Sequence, residues 1–159
     1  MTKSSGEVVR SYLDSFGKSI EDDHNAYVTY LDDNVKYFTG TTMVHGKQNL
    51  VELVKSTVAA IGLSSWRCDI VNLVADGDDV CVERIDYQFD TDGNDAVVVP
   101  IMGFFKVKNS KIVEWRDYWD LRPLFDHVAQ WRSKQGLSPL EWGDKVGAGA
   151  EAALTAAAN

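Results

Sequence analysis

From Ser65 to Leu121 the hydrophobic pattern has a period of two, and this stretch constrains the fold more than any other feature of the chain. Four strand-like runs follow one another there, separated by the turn signals DGDD, DTDGND and KNSK. Alternating apolar and polar residues, broken by short clusters of Asp, Gly, Asn and Ser, are typical of β-strands joined by hairpins. The sequence therefore predicts a four-stranded antiparallel meander.

Helical periodicity dominates the rest of the chain. Apolar residues recur three to four positions apart within 6–20, 22–31 and 46–62, and again from Asp120 onward. A short strand candidate, VKYFTG, follows the second of these helices. Helices followed by a run of strands favour the α+β class with segregated layers. We expect a strongly curved, mainly antiparallel mixed sheet wrapped around the N-terminal helices, forming a cone with an internal cavity suited to a small molecule.

Length and composition indicate one domain followed by an extension. The chain has 159 residues, of which 45% are hydrophobic and 25% charged, as in ordinary globular proteins. We predict a single domain over 1–135 and a C-terminal extension over 136–159, with one short helical turn from Ser138 and then a tail rich in Ala and Gly.

Charge and hydropathy limit the classes of binding partner and the cellular location that we expect. The net charge of −8, without a basic stripe, argues against a nucleic-acid partner. No apolar run reaches the roughly 20 residues of a membrane helix, and the N-terminus lacks the apolar core of a secretion signal. We therefore expect a cytoplasmic protein without a membrane partner.

The sequence contains no motif typical of a metal site or a cofactor site. Cys68 and Cys81 lie far apart inside strand-like runs and are interpreted as small apolar side chains. The three histidines follow no metal-ligand spacing, and no glycine-rich phosphate-binding motif occurs. We expect neither a metal nor a cofactor.

The strand run VCVERIDYQF places charged side chains on an apolar face. Alternate residues of a strand share a face, so Arg84 and Asp86 lie on the side that also carries Val80 and Val82. Ions on such a face must be paired, because burying an isolated charge is unfavourable.

The last strand run, IVEWRDYWDL, contains a carboxylate in a similar setting. Asp117 shares its face with Val113, Trp115 and Trp119, whereas Ile112 belongs to the opposite face. If the two strands turn these charged side chains toward one cavity, a single arginine from the earlier strand can form ion pairs with the carboxylates of both strands.

Arg84 is that arginine, because its forked guanidinium can bridge Asp86 and Asp117. Repulsion and desolvation would raise the pKa of one carboxyl while Arg84 holds the other down, so that an acid and a base coexist at one pH. With water as the nucleophile, this pair suits one-step hydrolytic ring opening. The alternative is an ion cluster that only joins three strands.

These residues resemble the limonene epoxide hydrolase family, within the group of cone-shaped folds that includes nuclear transport factor 2, ketosteroid isomerase and SnoaL-like polyketide cyclases. ERIDYQ, VPIMGFFKVKNSKI and WRDYWDL carry the resemblance, which covers about residues 7–126. It implies a cofactor-independent epoxide hydrolase in which Asp117 is the base that activates water. Asp86 then protonates the epoxide oxygen, and Arg84 bridges the two.

The resemblance further implies that a Tyr-x-Asn pair holds the water. Tyr37 matches the tyrosine, whereas Thr39 stands where the family has asparagine and is the candidate second water ligand. The side chains expected to line the cavity are Val82, Met102, Trp115 and Trp119.

The expected reaction opens a small or medium apolar epoxide to a vicinal diol. The replacement at Thr39 keeps open an isomerase or cyclase acting on a polyketide or terpenoid intermediate, and a non-catalytic small-molecule binding protein is the third alternative. The resemblance also implies a homodimer formed through the outer face of the sheet, where Ile85, Tyr87 and Phe89 lie.

Overall fold

Residues 3–17, 19–40 and 42–139 are described by the structure, which is a computed structural model of the chain. Within them the helices are α1 (Ser5–Leu13), α2 (Ile20–Tyr30), α3 (Lys47–Ala60) and α4 (Arg122–Lys134). The strands are β1 (Leu31–Phe38), β2 (Met43–His45), β3 (Leu63–Asp76), β4 (Asp79–Asp90), β5 (Asp95–Lys108) and β6 (Lys111–Trp119). Most of the predicted C-terminal extension, including the tail, lies outside the described residues.

The first helix begins at a capping box. The Ser4 hydroxyl accepts a hydrogen bond from the Glu7 backbone N–H at 3.3 Å, and the Glu7 carboxylate accepts one from the Ser4 backbone N–H at 2.7 Å. One face of the helix, with Val8, Val9 and Tyr12, is buried against the sheet. Helix α1 therefore fills part of the concave side.

Six strands form one open mixed sheet in the order β2-β1-β6-β5-β4-β3. The predicted meander is confirmed, because β3, β4, β5 and β6 pair in sequence order and antiparallel. Strand β1 joins it in parallel beside β6, which confirms the mixed α+β arrangement. Strand β2 was not predicted, since its three residues lie in a segment interpreted as a loop.

Irregular register helps the sheet to curve. On β6, Ile112 pairs with Val107 and Glu114 with Lys106, which leaves Val113 as an extra residue. This bulge reverses the alternation, so Ile112 is fully buried in the core with Trp115. The prediction that put Val113, instead of Ile112, on the face of Trp115 is therefore wrong.

Pro100 lies where β5 is locally an edge. It pairs with Ile85 on β4, while β6 ends at Trp119 beside Ile101. This position suits proline, since proline cannot donate a backbone hydrogen bond to a further strand.

The concave face of the sheet has a packed end and an open end. At the packed end, Tyr12 of α1 meets Val80, Val82 and Phe105 in a continuous core. At the other end, α3 and α4 cover the sheet less completely and leave a cavity. No helix of the described ranges is long and apolar enough to cross a membrane.

Candidate active site

Arg84 bridges two carboxylates on the concave face. Its Nε and Nη2 donate hydrogen bonds to Asp86 at 2.8 and 3.2 Å, and its Nη1 and Nη2 donate to Asp117 at 2.9 and 2.7 Å. All three side chains are buried. The sequence prediction that one guanidinium holds both carboxylates together is therefore confirmed, and the pairing offsets part of the desolvation of three ions.

Gly103 makes room for this bridge. It lies on β5 between Val82 of β4 and Asp117 of β6. A Cβ at this position would lie 2.5 Å from Nη1 of Arg84 and 3.0 Å from Oδ1 of Asp117. Sequence reasoning missed this residue, although a glycine inside a strand is a signal of close approach by another group.

Trp115 holds Asp117 from a second side. Its indole N–H donates to Oδ1 of Asp117 at 2.8 Å, and its ring stacks on Phe105 with centroids 5.8 Å apart. Residues two apart on a strand share a face, so this contact follows from the position of Trp115 before Asp117. Trp115 is thus both a wall of the cavity and a donor to the carboxylate.

Burial raises the pKa of Asp117 above its ordinary value. The charge and hydrogen bonds of Arg84 and the indole of Trp115 act in the opposite direction, while the nearby charge of Asp86 adds to the rise. For Arg84, burial alone would lower the pKa, but the charges of Asp117 and Asp86 raise it well above the usual range. With both carboxylates ionised the cluster carries one net negative charge, so one added proton makes it neutral.

Tyr37 on β1 and Thr39, just after the end of this strand, line the cavity. Tyr37 is opposite Trp115 in the parallel β1–β6 pair, and the two ring centroids are 4.1 Å apart. Burial, and after it the charge of Asp117, raises the pKa of Tyr37 well above its usual range, so the phenol keeps its proton. The backbone carbonyl of Thr39 accepts a hydrogen bond from the indole N–H of Trp119 at 2.8 Å.

These side chains surround a cavity of about 290 Å³. Asp86, Asp117, Tyr37 and Thr39 all line it, as do Trp115 and Trp119. A pocket of this size, largely apolar and with a few convergent polar groups, is typical of small-molecule sites. The structure therefore brings together every residue that the sequence predicted for catalysis and water positioning, with Arg84 directly behind the two carboxylates.

Two predicted lining residues lie elsewhere. Met102 is 53% exposed on the outer face of the sheet, because β5 turns Ile101 and Gly103 inward. Val82 points inward but is fully buried in the packed core below the cavity. Both predictions are wrong, and Ile101 supplies the apolar wall that was assigned to Met102.

Helices supply further parts of the wall, which sequence reasoning also missed. The apolar face of α3 contributes Leu53, Val54 and Val58, and the start of α4 contributes Leu124 and Phe125. Their amphipathic spacing predicts helices, but spacing alone does not show that the apolar faces close a cavity instead of a core.

Comparison with known proteins shows the family of this chain. The limonene-1,2-epoxide hydrolase catalytic domain family matches residues 3–130, which is most of the chain. Among curated proteins, none matches the sequence.

Solved structures share the fold at low sequence identity. A limonene epoxide hydrolase-like epoxide hydrolase from M. tuberculosis is 22% identical, with a TM-score of 0.60 over 79% of this chain and 90% of the other. A protein from Catenulispora acidiphila DSM 44928 with a ketosteroid isomerase-like fold, solved with trimethylamine, is 17% identical, with a TM-score of 0.62 over 84% and 95% of the two chains. A protein from Jannaschia sp. CCS1 that carries the name of a SnoaL-like polyketide cyclase is also 17% identical, with a TM-score of 0.61 over 80% and 96%.

The curved α+β fold is thus the one shared by these ketosteroid isomerase-like and SnoaL-like proteins. The family match extends over β4, which carries Arg84 and Asp86, and over β6, which carries Asp117. The chain belongs to the limonene-1,2-epoxide hydrolase catalytic domain family.

Proposed function

We propose that this protein is a cofactor-independent epoxide hydrolase that opens a small, largely apolar epoxide to a vicinal diol. The observation that carries the proposal is the double bridge of Arg84 to Asp86 and Asp117 at the wall of an apolar cavity. Membership of the limonene-1,2-epoxide hydrolase family supports the choice of reaction.

In the proposed step, water attacks one ring carbon while the bond from that carbon to the epoxide oxygen breaks. Asp117 takes a proton from the attacking water, and Asp86 gives a proton to the departing oxygen, so both oxygens end as hydroxyls. The proton gained by Asp117 must then return to Asp86, which leaves the net charge of the pair unchanged over one turnover. Arg84 contacts both carboxylates and stabilises whichever of them is ionised.

The environment of each residue suits its proposed role. Burial makes Asp117 a stronger base than an ordinary carboxylate, because it raises its pKa. The protonated phenol of Tyr37 is a donor beside the tilted ring of Trp115 and can orient the attacking water. Asp86 lines the cavity next to Arg84, which is where a ring oxygen needs its proton donor.

A second candidate function is isomerisation or cyclisation within the same cavity. Thr39 favours this candidate, because it stands where the family has asparagine. Its hydroxyl has a shorter reach than the asparagine carboxamide and holds a water differently. In that reaction, a carboxylate moves a proton or an internal hydroxyl opens the ring, and solvent oxygen does not enter the product.

Turnover of a panel of small cyclic and linear epoxides in ¹⁸O-labelled water separates the candidates. A hydrolase gives diols that carry one solvent oxygen, and this is the expected result. Products without solvent oxygen would show isomerase or cyclase chemistry instead. Epoxides that bind and stay intact would point to a binding protein.

We also propose that the protein forms a homodimer through the outer face of its sheet. Side chains on this face that are apolar and well exposed are Val74, Val98, Met102 and Tyr118. Ile85 and Tyr87 lie on the same face but are half-buried, and the guanidinium of Arg67 covers the Tyr87 ring at 3.6 Å. Exposed apolar groups on one sheet face favour pairing with a second copy. Sedimentation at micromolar concentration is expected to give twice the mass of the chain, and a monomer would contradict the proposal.

A further inference from the structure

Gln88 is a polar residue of the cavity wall that the proposed reaction does not use. It follows Arg84 and Asp86 on the inward row of β4, one step further along the strand. Within the part of the chain that the structure describes, its carboxamide makes no hydrogen bond. Gln88 is half-buried on the cavity wall, so its amide is available to a ligand, and a ligand group that pairs with it gains specificity.

The surroundings of Gln88 are apolar and carry no positive charge. It pairs with Trp66 on β3 and with the buried Val97 on β5, and Ile61 and Leu63 line the same end of the cavity. Among the described residues that line the cavity there is no Lys, Arg or His. A carboxylate or phosphate on the ligand would lack a counter-ion there and would face the negative pair of Asp86 and Asp117.

A neutral oxygen group suits this position instead. The amide of glutamine both donates and accepts, so a ligand carbonyl or hydroxyl can bind it. Residues two apart on one strand face are separated by about 7 Å. A group bound to Gln88 therefore lies about 7 Å from a ring oxygen that is bound to Asp86.

We propose that Gln88 selects epoxides that carry a neutral carbonyl or hydroxyl group about 7 Å from the ring oxygen. The part of this inference that concerns ring opening rests on the proposed hydrolase function, whereas the part that concerns binding does not. The substrate class is then an oxygenated epoxide with an otherwise apolar frame, and not a pure hydrocarbon epoxide.

A matched pair of ligands tests the proposal. One is a linear seven-carbon terminal epoxide with a methyl ketone at its far end, and the other has a methylene group in place of the carbonyl. Specificity is measured as kcat/KM for each epoxide. Binding is measured with the two stable diol products by fluorescence titration, because Trp66, Trp115 and Trp119 line the cavity and report on occupancy.

Wild-type protein is expected to bind the ketone diol about fivefold more tightly than the plain diol, as one net hydrogen bond implies. Gln88→Leu keeps a side chain of similar size and should bring this ratio close to one. Gln130→Leu removes an exposed amide on α4, outside the cavity, and should leave the ratio as in wild type.

Equal affinity of wild type for both diols, or no binding of either, would overturn the proposal. An unchanged preference in Gln88→Leu would overturn it as well. If wild type opens neither epoxide but its preference for the ketone diol depends on Gln88, the hydrolase function fails and the role of Gln88 stands.

Discussion

Asp117 on β6 and Asp23 on α2 are both buried carboxyl groups, with 3% and 0% of their surface exposed, but their surroundings differ. Asp117 accepts two hydrogen bonds from Arg84 and one from Trp115. Neither oxygen of Asp23 has a hydrogen-bond partner of good geometry among the described residues. Burial raises the pKa of Asp23 to about 7, with the Gly17 backbone opposing the rise only in part.

Burial alone therefore does not mark a functional carboxylate. Asp117 lines a cavity and shares a counter-ion with a second carboxylate, so it can carry charge next to a ligand. Asp23 is not among the residues that line that cavity and has no counter-ion within hydrogen-bond distance among the described residues, so its burial favours the protonated form. One carboxyl group is suited to chemistry, and the other makes the fold sensitive to pH.

Of the three changes that test this comparison, a substitution at Gly103, the backbone neighbour of the paired site, is expected to have the largest effect. In Gly103→Ala the new methyl group would collide with Arg84 and crowd Asp117, so the bridge must shift. We expect kcat/KM for epoxide opening to fall by about 100-fold, since small displacements of reacting groups have effects of this size. Circular dichroism should show that the sheet is retained. Wild-type activity in this variant would show that the bridge geometry does not matter.

Removing the second donor to Asp117 is expected to have an intermediate effect. Trp115→Phe keeps an aromatic ring but deletes the indole N–H that lowers the pKa of Asp117. Because the base must be ionised, the acidic limb of the kcat/KM profile should move to higher pH.

Trp119→Phe is the matched control for this experiment. The Trp119 indole donates to the Thr39 carbonyl and not to a carboxylate, so the acidic limb should stay in place. A Trp115→Phe profile that overlays wild type would contradict the proposed role of Asp117 as the base.

Substituting Asp23, the carboxyl group without a counter-ion among the described residues, is expected to have the smallest effect. This effect concerns stability alone. The pKa of Asp23 is raised in the folded state, so the folded protein holds this proton more tightly than the unfolded chain. The associated stability is present at low pH and is lost as the pH rises from about 4 through about 7. Asp23→Asn cannot ionise, so its Tm relative to wild type should increase by a few degrees between pH 5 and pH 8.5.

Asp126→Asn, at an exposed position of α4, serves as the control and should show no such trend. The difference between variant and wild type cancels the contribution of Asp117, which both proteins share. A Tm difference for Asp23→Asn that is independent of pH would contradict the proposed protonation of Asp23.

The paired site was accessible to sequence reasoning, whereas the unpaired carboxyl was not. Arg84, Asp86 and Asp117 stand out because period-two strands place them among apolar neighbours. Asp23 follows Glu21 and Asp22 in an acidic first turn, where charge normally faces water, and only the packing of α2 buries it. Long-range packing of this kind has no local sequence signal.

Long-range packing also explains the wrong predictions of which strand residues face inward. In VVVPIMGFF both faces are apolar, so periodicity could not decide whether Ile101 or Met102 points inward. At Ile112 and Val113 a bulge reversed an alternation that was correct further along β6. In each case the pairing of β5 with its neighbours, which is a tertiary feature, determines which side chain faces the cavity.

The proposal that the carboxylate of Asp117 activates water for ring opening is tested most directly by comparing Asp117→Asn with Asp126→Asn. The measurement is the rate of diol formation from an epoxide that the wild type turns over. We expect Asp126→Asn to match wild type and Asp117→Asn, still folded by circular dichroism, to lose about 10²–10⁴-fold, the usual contribution of a general base. Equal diol formation by the two variants would contradict it.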